Sequence, residues 1–431
     1  MMLFIYFLIN LVVFTFFVKK LRLIGRGFIS LPGVYYFFSF LPVISLLFYN
    51  LMAVDMKRLG FYDYLNAITL HTTFVGLGVF FSYFIFNSKR VPSRELLYFS
   101  SSINKSTRFF LYIVVFLSFF IFIHQVLVIP KIPFLMIFSD SSVSELTMAR
   151  EGGYKLQGGL SVYFWHFSRM VFVPMLVVVS FTNYYLNKSK KSLIFFILIL
   201  LFGVFNNALS GAKAPVALLF LCILIAYISL NGNLKLRKLF MFLLLIFVFP
   251  FFVEYIYSDL GLFESIEFFI LKVVNRFSYE TFDRTLSYFD TFPYNIDYLG
   301  GRTNSLFMIF SQKEYFNVQN YIFIERLGSG QVKEHLLNGY ANAHFIGYMN
   351  ADFGLSGVLV SCFFIGVILG GMDVFSSKKL NNIVSFSLYI VMAFIFWKLM
   401  GSQPTSVLFS HGALLAFFLL LFFSKLTKGR Y

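Results

Sequence analysis

The chain has 431 residues, of which 59% are hydrophobic and only 13% charged, with a mean hydropathy of +0.81. Soluble domains average about 25% charged residues, so too few polar side chains exist to cover a water-soluble globule of this size; soluble enzymes, DNA-binding domains and disordered scaffolds are excluded. The formal charge of +16 then points to bases confined to one side of a membrane, and nucleic acid loses its support as a partner.

Crossing roughly 30 Å of hydrocarbon takes about 20 apolar residues. Windows of that kind fall at 1–18, 33–54, 66–86, 109–129, 160–182, 192–209, 214–230, 239–257, 352–371, 383–401 and 405–424. The first has no basic region before it and no small-residue cleavage site after it, so it reads as a span and not a signal peptide. The expected fold is therefore all-α: a polytopic membrane protein of about eleven spans. Residues 1–257 form an N-terminal bundle of eight spans, 258–343 a long loop, and 344–431 a C-terminal group of three spans.

Alternate loops carry the charge. One set holds Lys19, Lys20, Arg22, Arg26, Lys89, Arg90, Arg94, Lys105, Arg108, Lys188, Lys190, Lys191, Lys235, Arg237, Lys238, Lys378, Lys379, Lys425, Lys428 and Arg430, against only Glu95 and Asp373. The other set is balanced or acidic, with ten acids and seven bases in 258–343. Basic loops stay cytoplasmic. The N-terminus is thus expected outside and the C-terminus inside.

Two substantial segments lie on the expected outer side, 130–159 and 258–343. The second is far longer than ordinary connections. It opens with Phe263, Ile266, Ile270, Val273 and Phe277 at helical spacing, as an amphipathic helix on the membrane interface would. A transporter rarely needs such an excursion; an enzyme acting on an externally presented, membrane-anchored substrate does. The bases on this side are the candidate ligands of an anion: Arg150, Lys213 in a tight break between two spans, Arg276 and Arg284 flanking Glu280 at i, i+4, i+8, and Arg302 after a Gly-Gly pair. Arginine offers phosphate a bidentate fork. A Glu280-centred ion-pair ladder and a snorkelling Lys213 are the plainer alternatives.

Within the spans, Arg169 reads as a partner of Glu254, and Lys398 as reaching the outer interface. Asp352, at the mouth of the ninth span, is either a base or the partner of a cation such as Lys213. His344, eight residues earlier, suits general-base work near neutral pH or a structural role. His166 and His411 read as hydrogen-bonded to helix neighbours, and His71 and His124 as edge residues. The two cysteines, Cys222 and Cys362, lie in apolar runs without a disulfide or zinc pattern. No zincin, nucleophile-elbow, Walker or Rossmann motif is present.

Three local motifs, set in this topology, resemble Wzy-type O-antigen polymerases. Asn207-Ala-Leu-Ser-Gly-Ala-Lys213 is similar to the family's Ser-Gly-x-Arg/Lys break, with lysine where arginine is common. Met148-Ala-Arg-Glu151 is similar to its loop arginine. The segment from Asn342 through His344 and Asp352 to Gly357 is similar to its return into the membrane. The resemblance implies a GT-C-like, inverting glycosyltransferase in a bacterial inner membrane, with its active site facing the periplasm and no metal or other cofactor. Its substrates would be undecaprenyl-pyrophosphate-linked oligosaccharides within the lipid, and a polysaccharide chain-length regulator would be its protein partner. Mapped onto this chain, Arg150, Lys213, Arg276 and Arg284 would surround the pyrophosphate, and His344 or Asp352 would take the acceptor's proton. Gly347, Gly354 and Gly357 would allow close helix approach. Tyr288, Tyr294 and Tyr298 would stack on sugars. An O-antigen ligase shares these features, while a lipid-linked oligosaccharide flippase predicts repeats and short loops that are absent from this sequence.

Overall fold

The structure is a computed structural model that describes residues 2–21, 23–25, 28–40, 42–44, 58–86, 104–136, 138–139, 145, 149, 160–210, 213–231, 241, 244, 246–248, 250–252, 255–256, 261–275, 280–304, 314–327 and 340–427. In chain order the main helices are α1 (Met2–Lys20), α2 (Leu31–Ser39), α3 (Phe61–Ile85) and α4 (Lys105–Val128). Next comes α5, made of Leu160–Phe167, a π-helical turn Ser168–Phe172 and Val173–Asn187. Then follow α6 (Lys190–Ala208), α7 (Lys213–Asn231), α8 (Leu262–Asn275), α9 (Thr281–Thr291), α10 (Val318–Leu327), α11 (Phe345–Ser377), α12 (Ile383–Trp397) and α13 (Ala413–Thr427). Two short strands, Ile24–Gly25 and Phe28–Ile29, pair antiparallel between α1 and α2.

Among the described residues, eight of these helices are long and apolar enough to cross a membrane, and the protein is a membrane-embedded helical bundle. The spans expected at 33–54 and 405–424 coincide with the shorter apolar helices α2 and α13. Of the expected span 239–257, residues 241, 244, 246–248, 250–252 and 255–256 are described, and all are helical. The span expected to start at residue 352 begins at Phe345 and runs for 33 residues, about 50 Å of helix, so it projects beyond the hydrocarbon.

Lys19, Lys20, Lys105, Arg108, Lys188, Lys190, Lys191, Lys378, Lys379 and Lys425 gather at one set of helix ends, the basic end. Hydrogen bonds from Asn104 Nδ2 to Leu426 O and from Asn381 Nδ2 to Ser424 O tie these ends together. Helices that start here are closed by side-chain caps: Ser30 for α2, Asn104 for α4, Ser189 for α6 and Asn382 for α12 each accept from a first-turn N–H. Beneath them, buried Asp373 accepts hydrogen bonds from Leu31 N (3.0 Å), Tyr83 Oη (2.6 Å) and Tyr389 Oη. One carboxylate thereby joins α2, α3, α11 and α12.

The core is a glycine seam between α3 and α11. A Cβ on Gly78 would collide with Phe363 O, one on Gly366 with Val75 O, and one on Gly370 would sit 2.8 Å from Ser82 Cβ. The backbones approach closely enough for Ser82 Oγ to donate to Val367 O at 2.7 Å. Small residues permit such packing where lipid supplies no hydrophobic drive. The glycines named from the sequence do other work: Gly347 faces Tyr288 and Thr285, Gly357 faces its own helix, and Gly354 marks a kink. Beside the seam stands α12, buried at every residue from Ile383 to Phe396.

At the other end, α9 and α10 form a cap. Phe282, Leu286, Tyr288 and Phe289 of α9 are buried, and Tyr64 of α3 packs on Phe282 and Phe289. Arg58, just before α3, pairs with Asp283 and Asp290 and reaches Ser287 at 3.1 Å; Arg326 of α10 also pairs with Asp283. Burial alone would depress the Arg58 guanidinium, but the two carboxylates hold it above its ordinary value. The long segment expected as a loop is therefore helical over α8, α9 and α10. The amphipathic helix expected there is α8, which leaves Phe263 85% exposed.

The seam makes a sharp prediction. Gly78→Leu should destabilise the bundle by roughly 3 kcal/mol or abolish folding, read as the thermal unfolding midpoint in detergent. Gly371→Ala is the control, because its Cβ would meet nothing nearer than Phe86 Cε2 at 3.7 Å, and it should shift stability by less than about 0.5 kcal/mol.

Candidate active site at the capped end

The entry of α11 is broken at Gly354, whose φ of 67° and ψ of −160° interrupt the helix. The carbonyls freed by the break are used: Leu299 N donates to Ala351 O and Gly300 N to Asp352 O, both at 2.9 Å. The Asp352 carboxylate continues the pattern. Its Oδ1 accepts from Gly301 N and Thr303 N at 3.1 Å, and its Oδ2 from Thr303 Oγ1 at 2.5 Å. Gly300 and Gly301 have φ of 60° and 91°, a region that suits glycine. Asp352 is 1% exposed. Its partners are loop groups, and it holds the 298–304 loop in the gap of the helix.

His344 caps α11. Its Nδ1 accepts from Ile346 N at 3.3 Å, and its own N–H donates to Thr285 Oγ1 at 3.1 Å. With Nδ1 accepting, the proton of the neutral ring sits on Nε2, which is buried without a protein partner. Burial, and then the neighbouring His71, hold His344 well below the ordinary imidazole range. A general base must present a lone pair to the proton it removes, and neither nitrogen of His344 does so here. His71 is no edge residue: it is buried in α3, 2.8 Å from Tyr35 Oη, with its ring 4.6 Å from that of His344.

The other candidates disperse. Arg284 pairs with Glu280 across one helical turn, as their spacing implies. Arg302 donates from Nε to Glu314 O at 3.1 Å and lies 5.7 Å from the Phe316 ring. Tyr298 is half-exposed against Gly354, and Tyr288 is fully buried, donating to Ala341 O. Lys213 opens α7, with its side chain outside the described residues, as are Arg150 and Arg276. The described members of the expected anion clamp thus face the cap, each with its own partner.

A second group of bases, each expected in a separate role, gathers elsewhere at this end. Arg169, 6% exposed, lies in the π-turn of α5, 5.4 Å from the Trp165 ring. Lys398, in the short turn ending α12, lies 5.9 Å from the Trp397 ring. His166 and His411 have ring centroids 6.2 Å apart, and His411 Nε2 is 3.3 Å from Ser402 Oγ. The charges of Arg169 and Lys398 both act on His166, that of Arg169 on Lys398, and that of Lys398 on His411. Four bases from α5, the turn after α12 and the entry to α13 therefore lie near one another, Arg169 buried and Lys398, His166 and His411 half-buried.

A cavity of about 10 Å³, room for one water, is bounded by Arg169, Pro174, Pro215 and Val391. Gly203 of α6 packs on Val173 and Val177 of α5. Asn206 and Asn207 of α6 are both buried; among the described residues the Asn206 carboxamide has no partner on either atom, and Asn207 Oδ1 has none. The 298–304 loop closes this region from the cap side, with Gln403 Nε2 donating to Thr303 O (2.6 Å) and Asn304 Nδ2 to Thr405 Oγ1 (2.7 Å). Among the described residues, no three His, Cys, Asp or Glu side chains converge as metal ligands.

The cap of α11 gives a pH prediction. An unfolded histidine titrates near pH ~6.5, whereas folded His344 resists protonation. Its contribution to stability is therefore present above that pH and is lost as pH falls. The unfolding midpoint should drop between pH 7 and 5, and His344→Asn, which keeps a capping acceptor, should flatten the slope. An identical slope in the variant would exclude this linkage.

Comparison with family models, with curated proteins and with solved structures returns no match, so the site is interpreted from its own chemistry.

Proposed function

We propose that the chain is a membrane glycosyltransferase of the Wzy type. It would polymerise undecaprenyl-pyrophosphate-linked repeat units into O-antigen or a related surface polysaccharide. The observation that carries this reading is the convergence of Arg169, Lys398, His166 and His411 at the capped end of a membrane bundle. A cation placed within the bilayer costs about 2.5–3.5 kcal/mol even on the mildest scale, and gathering two cations beside two imidazoles adds repulsion. An anionic group offsets both costs. Pyrophosphate on a lipid reaches this depth and carries the charge that these groups match. The break at 207–213, one of the motifs behind the family resemblance, adjoins the same part of the bundle: Pro215, two residues beyond it, lines the cavity beside Arg169.

The reaction is a displacement. A hydroxyl oxygen of the incoming lipid-linked unit bonds to the anomeric carbon of the growing glycan from the face opposite the leaving group, which inverts that centre. The bond from that carbon to the pyrophosphate oxygen breaks, and its electron pair departs with undecaprenyl pyrophosphate. The acceptor's proton passes to a base at the capped end. Fixed positive groups favour the charge that develops on the leaving oxygen. Asp352 and His344 enter as the residues that hold the loop and the helix entry, because their acceptor atoms are engaged. In this reading the capped end faces the periplasm and the basic end the cytoplasm, as basic loops prefer.

Deleting the gene should leave lipopolysaccharide bearing a single repeat unit, seen as a collapsed ladder on a gel. Lys398→Met or Arg169→Gln should shorten the ladder in the same direction at unchanged membrane levels of the protein. Loss of every O-antigen form, single units included, would identify a ligase or flippase instead.

A further inference from the structure

Beside the broken entry of α11, on the cap side, two tyrosines stand half-exposed around one carboxylate. Tyr294 and Tyr298 are 47% and 46% exposed. Tyr294 Oη donates to Asp63 Oδ2 at 3.0 Å, and Asp63 lies in the first turn of α3. No hydrogen bond from a described residue reaches Asp63 Oδ1 or the Tyr298 hydroxyl. Tyr298 is fixed from below: a Cβ on Gly354 would lie 2.9 Å from its Cζ and its hydroxyl. The next residues, Leu299 and Gly300, are bonded to the freed carbonyls of α11. The Asp63 charge acts on both phenols.

These features are those of a saccharide site. Aromatic faces bury the apolar side of a sugar ring, and a carboxylate oxygen accepts from its hydroxyls, as ligand sites pair apolar walls with a few placed polar groups. Rings that are already held lose little freedom on binding. Partial burial, followed by the hydrogen bond and charge of Asp63, raises the Tyr294 hydroxyl above its ordinary value, so it stays protonated at neutral pH. An interfacial aromatic belt is the competing account of exposed tyrosines; it requires neither the fixed ring nor the carboxylate between the two.

We propose that Tyr294, Asp63 and Tyr298 form a docking site for a neutral oligosaccharide chain, which reaches the site from the cap side. This deepens the glycosyltransferase reading by naming where the glycan rests. The 298–304 loop spans the two places, with Tyr298 on the platform and Thr303 bonded to Gln403 at the group of bases. Glycan and lipid phosphate are thus served by opposite ends of one seven-residue loop.

Full-length protein in lipid nanodiscs, applied to an array of bacterial surface oligosaccharides, tests the site directly. Wild type should retain a subset of neutral glycans. Asp63→Asn and Tyr298→Ala should each lower that retention by about tenfold, the scale of one hydrogen bond to a charged group, while Tyr298→Phe keeps most of it. Asp63→Asn alters a partly exposed side chain, so its loss would not stem from misfolding, and a thermal melt checks each variant. The site is refuted if no glycan is held more tightly by wild type than by the Asp63→Asn, Tyr298→Ala double variant, as an interfacial belt would give. The array reads binding alone and the deletion ladder reads polymerisation, so either reading can fail without the other.

Discussion

The close approach of α3 and α11 is the constraint on which the rest depends. Without side chains at Gly78 and Gly366 the two backbones meet, and the helices are locked in one register. That register carries His71 to His344 at one end and Tyr83 to Asp373 at the other. It also sets the height at which Gly354 breaks α11, hence where the 298–304 loop enters. A bulkier residue in the seam would displace both ends together, because interiors packed at crystal-like density transmit strain.

Around that pair, the bundle separates two kinds of polar burial. At the basic end, Asp373 is surrounded by hydroxyl and amide donors and acts as a bolt. At the capped end, Arg169 and Lys398 are positive neighbours of each other, and the buried Asn206 carboxamide has no hydrogen-bond partner among the described residues. A satisfied buried group stabilises a fold, whereas a buried carboxamide without a bond is costly in low dielectric and is a group that a bound ligand can satisfy. That asymmetry, more than any single residue, assigns the chemistry to the capped end.

The sequence made much of this visible and hid the rest for identifiable reasons. Span positions and the basic end followed from apolar run length and loop charge, which are local properties. The pairing of Glu280 with Arg284 and the existence of α8 followed from helical periodicity. The gathering of Arg169, Lys398, His166 and His411 was not legible, since it depends on α5, α12 and α13 being neighbours across more than 200 residues of chain. Each had been given a bland partner or an interface position of its own. Asp352 looked like a base or an ion-pair member, because nothing in its neighbourhood in sequence announces that Gly301 and Thr303 return to it. Tyr288 and Tyr298 were equivalent as loop tyrosines; only the amphipathic phase of α9 buries the first.

The two π-turns, Ser168–Phe172 in α5 and Ser406–Ser410 before α13, have a consequence of their own. Each holds one residue more than an α-helical turn would. Every residue on the far side is therefore rotated by about 100° relative to an uninterrupted helix. His166 precedes the first turn and His411 follows the second, and their rings lie 6.2 Å apart. Membership of the group is a matter of helical phase. Removing one residue from the first turn would turn His166 by about 100° relative to the buried part of α5 beyond it.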